Sequence, residues 1–245
     1  MNVHGLDTAN PPASRKRIAA VIFDMDGVLV DSEPLHLRAT QAALGARGTS
    51  YTERDNRAFF GATDVEMFRV LRILFDLPQP TPALVEAKTA HLIALIRAEA
   101  RPLPGVPAVP SWLRNSGLRL ALASSSRRPV IQEVLETLGL DGIFEAVVSG
   151  DEVARGKPAP DGFLMAARRL GVEPDRCLVV EDSRNGVLAG KAAGMTVAAI
   201  PCPATSHDDF SAADLVLPSL EALPKVLEQG AELAETRGDS RGSIT

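Results

Sequence analysis

Cysteine is scarce in this sequence, and its scarcity excludes two kinds of stabilising site. The 245 residues include only Cys177 and Cys202, and their spacing does not match the short cysteine pairs of zinc sites. We therefore predict neither a disulfide framework nor a cysteine-based zinc centre. Reduced cysteines are typical of intracellular proteins, so a cytoplasmic location is expected.

Long apolar runs are also missing. No stretch approaches the ~20 apolar residues that cross a bilayer, so no membrane partner is predicted. The first seventeen residues lack the apolar centre of a secretory signal and are predicted to form a disordered tail. Residues 229–245 are polar, contain Gly and Ser, and are predicted to be frayed.

Positive charge is not in excess. The formal net charge of −5 argues against general nucleic-acid binding, which depends on many Lys and Arg contacts to phosphates. Lysine in particular is rare, with five residues against twenty-one arginines. A lysine at a special position therefore indicates a need for its compact ammonium group, and Lys157 is the example that matters below.

The pattern of helices and strands divides the chain into a core and an insertion. Residues 34–100 contain only helical patterns, and four prolines with a glycine punctuate residues 101–110. Beyond residue 117, strands and helices alternate, which is typical of βαβ units around a parallel sheet. The prediction is an α/β core over 18–32 and 102–228, Rossmann-like with helices on both faces, and an inserted all-helical cap domain over 33–101.

Two carboxylates follow the first predicted strand. The apolar run from Ile18 to Phe23 is followed by Asp24 and Asp26, and Gly27 permits a sharp turn. Ligands of open α/β sheets bind at the carboxyl ends of the strands, so the pair is a candidate for metal binding and for catalysis. Taken alone, a simple strand-ending turn is an equally good interpretation.

Three more polar clusters follow later strands of the core. A serine run occupies 124–126, Lys157 stands between Gly and Pro, and Glu181 with Asp182 ends the strand at 177–180. Each has an ordinary alternative: a serine turn or helix cap, a solvated lysine, and a helix cap at Asp182. Hydroxyls, a fixed cation and paired carboxylates are also what a bound phosphate and Mg²⁺ require.

In their order and spacing the four clusters resemble the haloacid dehalogenase-like superfamily, in its phosphatase and β-phosphoglucomutase-like branch with a small helical cap. Asp24-Met25-Asp26-Gly27-Val28 resembles the first motif of that family, Ser124 the second, Lys157 the third and Glu181-Asp182 the fourth. The stretches GKPAPDGF and VVEDSRNGVLAGKAAGM are similar to this branch almost residue for residue. The resemblance extends from Ile18 to about Leu227.

The resemblance implies a mechanism and a set of site residues. Asp24 would be the nucleophile that forms an aspartyl-phosphate, and Asp26 would carry the proton to the leaving group and from the water. Lys157 would assist catalysis. The predicted phosphate or substrate contacts are Ser124, Ser125, Lys157, Gly27 and His36. The predicted Mg²⁺ ligands are Asp24, the backbone carbonyl of Asp26, Asp182 and, in a secondary role, Glu181.

The predicted cap bears on the choice of substrate. Ser32 and His36 are similar to residues that border the site in β-phosphoglucomutase-like members. Where the mutases carry an Arg for a second phosphate, this chain has Asp64 and Glu66, whose charge would repel one. The expected function is hydrolysis of a small sugar or polyol monophosphate. A hexose-phosphate mutase is the alternative, with the cap arginines Arg54, Arg57 and Arg69 as substitutes, and a non-catalytic binding protein is a third possibility. The chain is expected to be a monomer or a dimer.

Overall fold

A computed structural model describes residues 17–45 and 50–229. The two predicted tails, 1–17 and 229–245, fall almost wholly outside these ranges. Within them, no helix is both long enough and apolar enough to span a bilayer.

Six parallel strands form one sheet, in agreement with the predicted α/β fold. Their order across the sheet is β3-β2-β1-β4-β5-β6, so the first strand lies at the centre. The strands are β1 (Ala20–Phe23), β2 (Arg119–Ala123), β3 (Ala146–Val148), β4 (Cys177–Glu181), β5 (Thr196–Ala199) and β6 (Leu215–Val216).

The helices fall into two groups along the chain. Those between β1 and the rest of the sheet are α1 (Glu33–Leu44), α2 (Glu53–Arg57), α3 (Asp64–Leu74) and α4 (Thr81–Glu99). Those that accompany the sheet are α5 (Ala108–Asn115), α6 (Arg128–Thr137), α7 (Asp161–Leu170), α8 (Arg184–Ala192) and α9 (223–229). Helix α2 is short, and turns follow it after Arg57.

The sheet is buried on both faces, which explains the nearly continuous apolar run of β1. Val21 and Phe23 belong to one apolar cluster, and Ala20 and Ile22 belong to the cluster on the opposite face. Successive side chains of a strand point to opposite faces, so a strand covered on both sides needs apolar residues throughout. This confirms the parallel sheet with helices on both faces that the sequence predicted.

The chain leaves and re-enters the core at one place. Val30 pairs with Pro102 in an antiparallel bridge, and the Leu103 N–H donates to the Leu29 carbonyl oxygen over 3.0 Å. The intervening helices have an apolar cluster of their own, which includes Tyr51 and Phe68. Because the bridge lies just beyond the end of β1, these helices stand over the carboxyl edge of the sheet.

Candidate active site

The strand order brings the predicted polar clusters together. Asp24 follows the central strand β1, and Ser124 and Asp182 follow its neighbours β2 and β4. Parallel strands end at the same edge of the sheet, so residues more than 150 positions apart become neighbours. Lys157, in the loop between β3 and α7, reaches the same edge.

Lys157 holds two carboxylates. Its Nζ donates to Asp24 Oδ1 over 2.6 Å and also to Glu181 Oε1. Burial and the charges of Glu181 and Asp26 raise the pKa of Asp24 to about 8, although Lys157 acts in the opposite direction. Burial lowers the pKa of Lys157, but its two carboxylate partners outweigh burial and raise it above the usual range. The lysine is therefore charged at neutral pH.

Glu181 is fixed by the start of helix α8. Its Oε2 accepts the backbone N–H groups of Asp182 and Ser183, both over 2.9 Å, and the Ser183 hydroxyl over 3.0 Å. Gly186 makes room for it, because a Cβ there would lie 1.8 Å from the carboxylate carbon of Glu181. With both oxygens in use, Glu181 positions Lys157, and a direct metal contact stays a prediction.

Asp26 has different surroundings from Asp24. One of its carboxylate oxygens accepts from Ser32 Oγ (2.5 Å) and contacts His36 Nε2 (3.2 Å), and the other accepts from Ser126 Oγ (3.0 Å). Burial raises the pKa of Asp26, but the charge of His36 and these hydrogen bonds outweigh burial and hold it well below the usual range. The different surroundings of these two carboxyl groups therefore shift their pKa values in opposite directions.

Of the three serines after β2, Ser124 and Ser126 face Asp26, and Ser125 contacts the cap. Ser124 Oγ lies 3.4 Å from Asp26 Oδ2 and also accepts the Ser126 N–H over 3.0 Å. The Ser125 hydroxyl donates to the backbone carbonyl of Gly61 in the cap over 2.7 Å. Ser124 therefore lies beside the Asp26 carboxylate, and its phosphate contact stays a prediction. Ser125, also predicted to bind phosphate, joins the core to the cap in this conformation.

Gly27 supports Asp182. Its φ of +78° favours glycine, and a Cβ would lie 2.1 Å from Asp182 Oδ2. Its N–H donates to the Val30 carbonyl over 2.8 Å, so the phosphate contact predicted for Gly27 has no donor in this conformation. The sharp turn was predicted correctly. Its consequence in the structure is that the Asp182 carboxylate packs where a side chain at position 27 would otherwise lie.

Three buried carboxylates cluster at this edge. Oxygens of Asp24, Glu181 and Asp182 all lie within 4.8 Å of one another. Burial and its carboxylate neighbours raise the pKa of Asp182 well above the usual range. When all three are ionised, Lys157 leaves two of their charges uncompensated, and a divalent cation would remove that deficit. Hard oxygen donors of this kind fit Mg²⁺.

A small cavity of about 70 Å³ lies between these carboxylates and the cap. A water molecule needs roughly 10–15 Å³ of cavity volume, so this cavity suits a small ligand. Asp24, Asp26 and Lys157 line one side, and His36 lines it near Asp26. The cap side is lined by aromatic and polar residues: Glu33, Asn56, Phe59, Phe60, Asp64, Met67 and Lys88.

The cap acidic residues do not act as the sequence argument expected. Glu66 Oε2 accepts the Thr63 N–H over 2.8 Å in a capping box, and its other oxygen accepts the Gly156 N–H over 3.3 Å. Asp64 faces the cavity but forms a buried ion pair with Lys88. Asp64 therefore presents no free negative charge to a second phosphate, whereas repulsion of one by Glu66 stays a prediction. The predicted substitutes, Arg54, Arg57 and Arg69, are absent from the described lining of the cavity.

Several lining residues escaped the sequence analysis. Ser126 carried a signal as the third member of a serine run. Two features of the sequence pointed to Lys88: it is one of five lysines, and it stands between Leu84 and Leu92 on the apolar face of α4. No feature of the sequence pointed to Glu33 or Asn56, because no sequence pattern indicates that their two helices, α1 and α2, are in contact.

Comparisons with known proteins agree with this geometry. The sequence model of the haloacid dehalogenase-like hydrolases matches residues 18–194. Fructose-1-phosphate phosphatase YqaB of Escherichia coli is 38% identical over 183 residues, 74% of this chain and 95% of that protein. Hexitol phosphatase B of Escherichia coli is 35% identical over 215 residues, 85% of this chain and 95% of that protein.

The fold is also similar to solved structures. The crystal structure of CbbY from Rhodobacter sphaeroides in complex with phosphate has a TM-score of 0.77 and 32% identity to this chain, and covers 84% of this chain and 96% of that one. The family match covers well over half of the sequence. The chain therefore belongs to the haloacid dehalogenase-like hydrolase family, in its phosphatase and β-phosphoglucomutase-like branch.

Proposed function

We propose that this protein is a Mg²⁺-dependent phosphatase that hydrolyses a small sugar or polyol monophosphate through an aspartyl-phosphate. The observation that carries the proposal is the buried Asp24 at the end of the central strand, 2.6 Å from Lys157 and within a cluster of three carboxylates. Its named relatives, a fructose-1-phosphate phosphatase and a hexitol phosphatase, support the same substrate class.

Asp24 attacks phosphorus in line with the leaving oxygen, which forms the aspartyl-phosphate and releases the alcohol. Lys157 lies against Asp24 and offsets the repulsion between this carboxylate and the phosphoryl oxygens. Glu181 fixes Lys157 from the other side. When bound, Mg²⁺ would neutralise charge on the phosphoryl group, held by Asp24, Asp182 and the backbone carbonyl of Asp26.

Asp26 moves the proton. In the free protein it is an anion held by Ser32, His36 and Ser126. A phosphate dianion arriving beside it disfavours that charge and raises its pKa, so that Asp26 takes up a proton for the leaving alkoxide. Having given up that proton, it accepts one from the water that attacks the aspartyl-phosphate.

Two alternatives have less support. A β-phosphoglucomutase-like reaction needs a cationic contact to a second phosphate. In the described lining of the cavity, the cap lysine Lys88 is already neutralised by Asp64, and His36 is paired with Asp26. A non-catalytic binding protein would not need a nucleophile, a fixed lysine and a carboxylate cluster together. A cytoplasmic location and a monomeric or dimeric state stay predictions.

A phosphate-release screen tests the function. With Mg²⁺, we expect turnover of sugar and polyol monophosphates, and loss of phosphate release after treatment with EDTA and recovery on adding Mg²⁺. Isomerisation of glucose 1-phosphate through a bisphosphate, visible by phosphorus NMR without net phosphate release, would favour the mutase instead.

Metal affinity is expected to rise with pH. Burial raises the pKa of Asp24 to about 8, so this carboxyl holds a proton near pH 6, and burial with the neighbouring carboxylates raises the pKa of Asp182 as well, which favours a proton there. A metal ion must displace these protons. For each proton released, the binding constant therefore falls about tenfold when the pH is lowered by one unit. Calorimetric titration with Mg²⁺ at pH 6, 7 and 8 should show this increase, and an affinity independent of pH would contradict it.

A further inference from the structure

We propose that Glu33 and Asn56 form a pair that recognises substrate hydroxyl groups, while the Lys88–Asp64 ion pair completes the same cap wall as a neutral surface. The site then takes a polyhydroxylated carbon chain that carries one phosphate. This inference rests on the proposed function, because it names the substrate groups that the phosphatase site recognises.

Tyr51 sets the orientation of Asn56. The Tyr51 hydroxyl, fully buried, donates to Asn56 Oδ1 over 3.0 Å. The amide nitrogen of Asn56 therefore points the other way, and it donates to Glu33 Oε2 over 3.4 Å. Asn56 is itself buried and lines the cavity, so its donor side is presented at a fixed place.

Glu33 supplies the complementary group. Its carboxyl lies beside Asn56 on the cavity wall, and burial raises its pKa to about 7. An amide donor beside a carboxyl acceptor matches a hydroxyl, which both donates and accepts, and two such groups together match neighbouring hydroxyls on a carbon chain. Neither Glu33 nor Asn56 has a part in the phosphoryl chemistry proposed above.

Lys88 contributes no free positive charge. Its Nζ is hydrogen-bonded to Asp64 Oδ1, and the two side chains are only 4% and 11% exposed. They come from different helices, α4 and α3, so the pair also joins the cap helices. A paired ammonium attracts a second phosphate far less than a bare one would.

The first test compares two esters of equal chain length, sorbitol 6-phosphate and n-hexyl phosphate. Their kcat/KM ratio is measured for the wild type, Glu33→Gln and Asn56→Asp, with the exposed Glu53→Gln of α2 as matched control. Asn56→Asp keeps the acceptor that Tyr51 uses and replaces the donor. We expect the wild type to favour sorbitol 6-phosphate, and the ratio to fall roughly ten- to a hundred-fold in both variants and to hold in the control.

The result separates the two proposals. If the wild type releases phosphate from neither ester, the proposed function fails. If it hydrolyses both, and the ratio stays within about twofold in Glu33→Gln and Asn56→Asp, the hydroxyl-recognising pair is wrong and the phosphatase stands.

The second test concerns the neutral ion pair. Asp64→Asn leaves the Lys88 charge without its partner beside the cavity. The kcat/KM for fructose 1,6-bisphosphate relative to fructose 1-phosphate should then rise, by roughly tenfold or more. An unchanged or lower ratio in Asp64→Asn, with thermal unfolding like that of the wild type, would show that Lys88 neutralisation does not exclude the second phosphate.

Discussion

Asp24→Asn is expected to lower kcat for phosphate release from sorbitol 6-phosphate by about 10⁴-fold or more. An amide has the shape of the carboxylate but cannot form the aspartyl-phosphate. It also loses the charge that would hold Mg²⁺. The measurement is steady-state phosphate release at saturating Mg²⁺ and substrate.

The matched control for this change is Asp31→Asn. Asp31 lies seven residues further along the chain and is exposed, so its replacement should leave kcat within about twofold of the wild type. Circular dichroism and thermal unfolding establish that both variants are folded. An Asp24→Asn variant that keeps more than about a tenth of the wild-type kcat would contradict the assignment of the nucleophile.

Gly186→Ala is expected to have the next largest effect, although Gly186 touches no substrate. The added methyl would overlap the Glu181 carboxylate, which must move away from Lys157 and from the backbone N–H groups of Asp182 and Ser183. Overpacking and the weakened buried ion pair should destabilise the fold by about 2–4 kcal/mol. Release of Lys157 from its fixed place should lower kcat roughly a hundredfold.

Gly162→Ala provides the comparison. Gly162 also lies in the first turn of a core helix, α7. Among the described residues, the atom nearest to its added Cβ would be a methyl carbon of Val153, 3.9 Å away. Because alanine favours a helix over glycine, this variant should be as stable as the wild type or more stable by up to about 1 kcal/mol. The test measures the free energy of unfolding in urea and kcat for both variants. Equal stability and equal kcat of the Gly186→Ala and Gly162→Ala variants would show that the position of Glu181 does not depend on the missing side chain at residue 186.

The sequence could predict the sheet and the strand-end clusters, because both depend on local patterns. The continuous apolar run before Asp24 indicates a strand buried on both faces, and the structure has one there. The order of the strands makes the ends of β1, β2 and β4 neighbours, and the family motifs lie there.

The contacts that hold the site residues in place could not be predicted, because they join residues that no local sequence pattern connects. The contact of Ser125 with Gly61 crosses from the core to the cap, and the space beside Gly186 is recognisable only once Glu181 is in place. In the sequence, Asn56 is an ordinary helix residue, and only the structure shows that Tyr51 fixes the orientation of its side-chain amide. These contacts decide how firmly the catalytic groups are held and what the cap can recognise.

The central claim is that phosphate passes through Asp24. Borohydride reduces an aspartyl-phosphate to homoserine, so the enzyme is treated with borohydride during turnover, digested, and analysed by mass spectrometry. The account predicts homoserine at position 24 only when substrate and Mg²⁺ are both present. Homoserine at Asp26 or Asp182, or none at position 24 in an enzyme that is turning over, would contradict it.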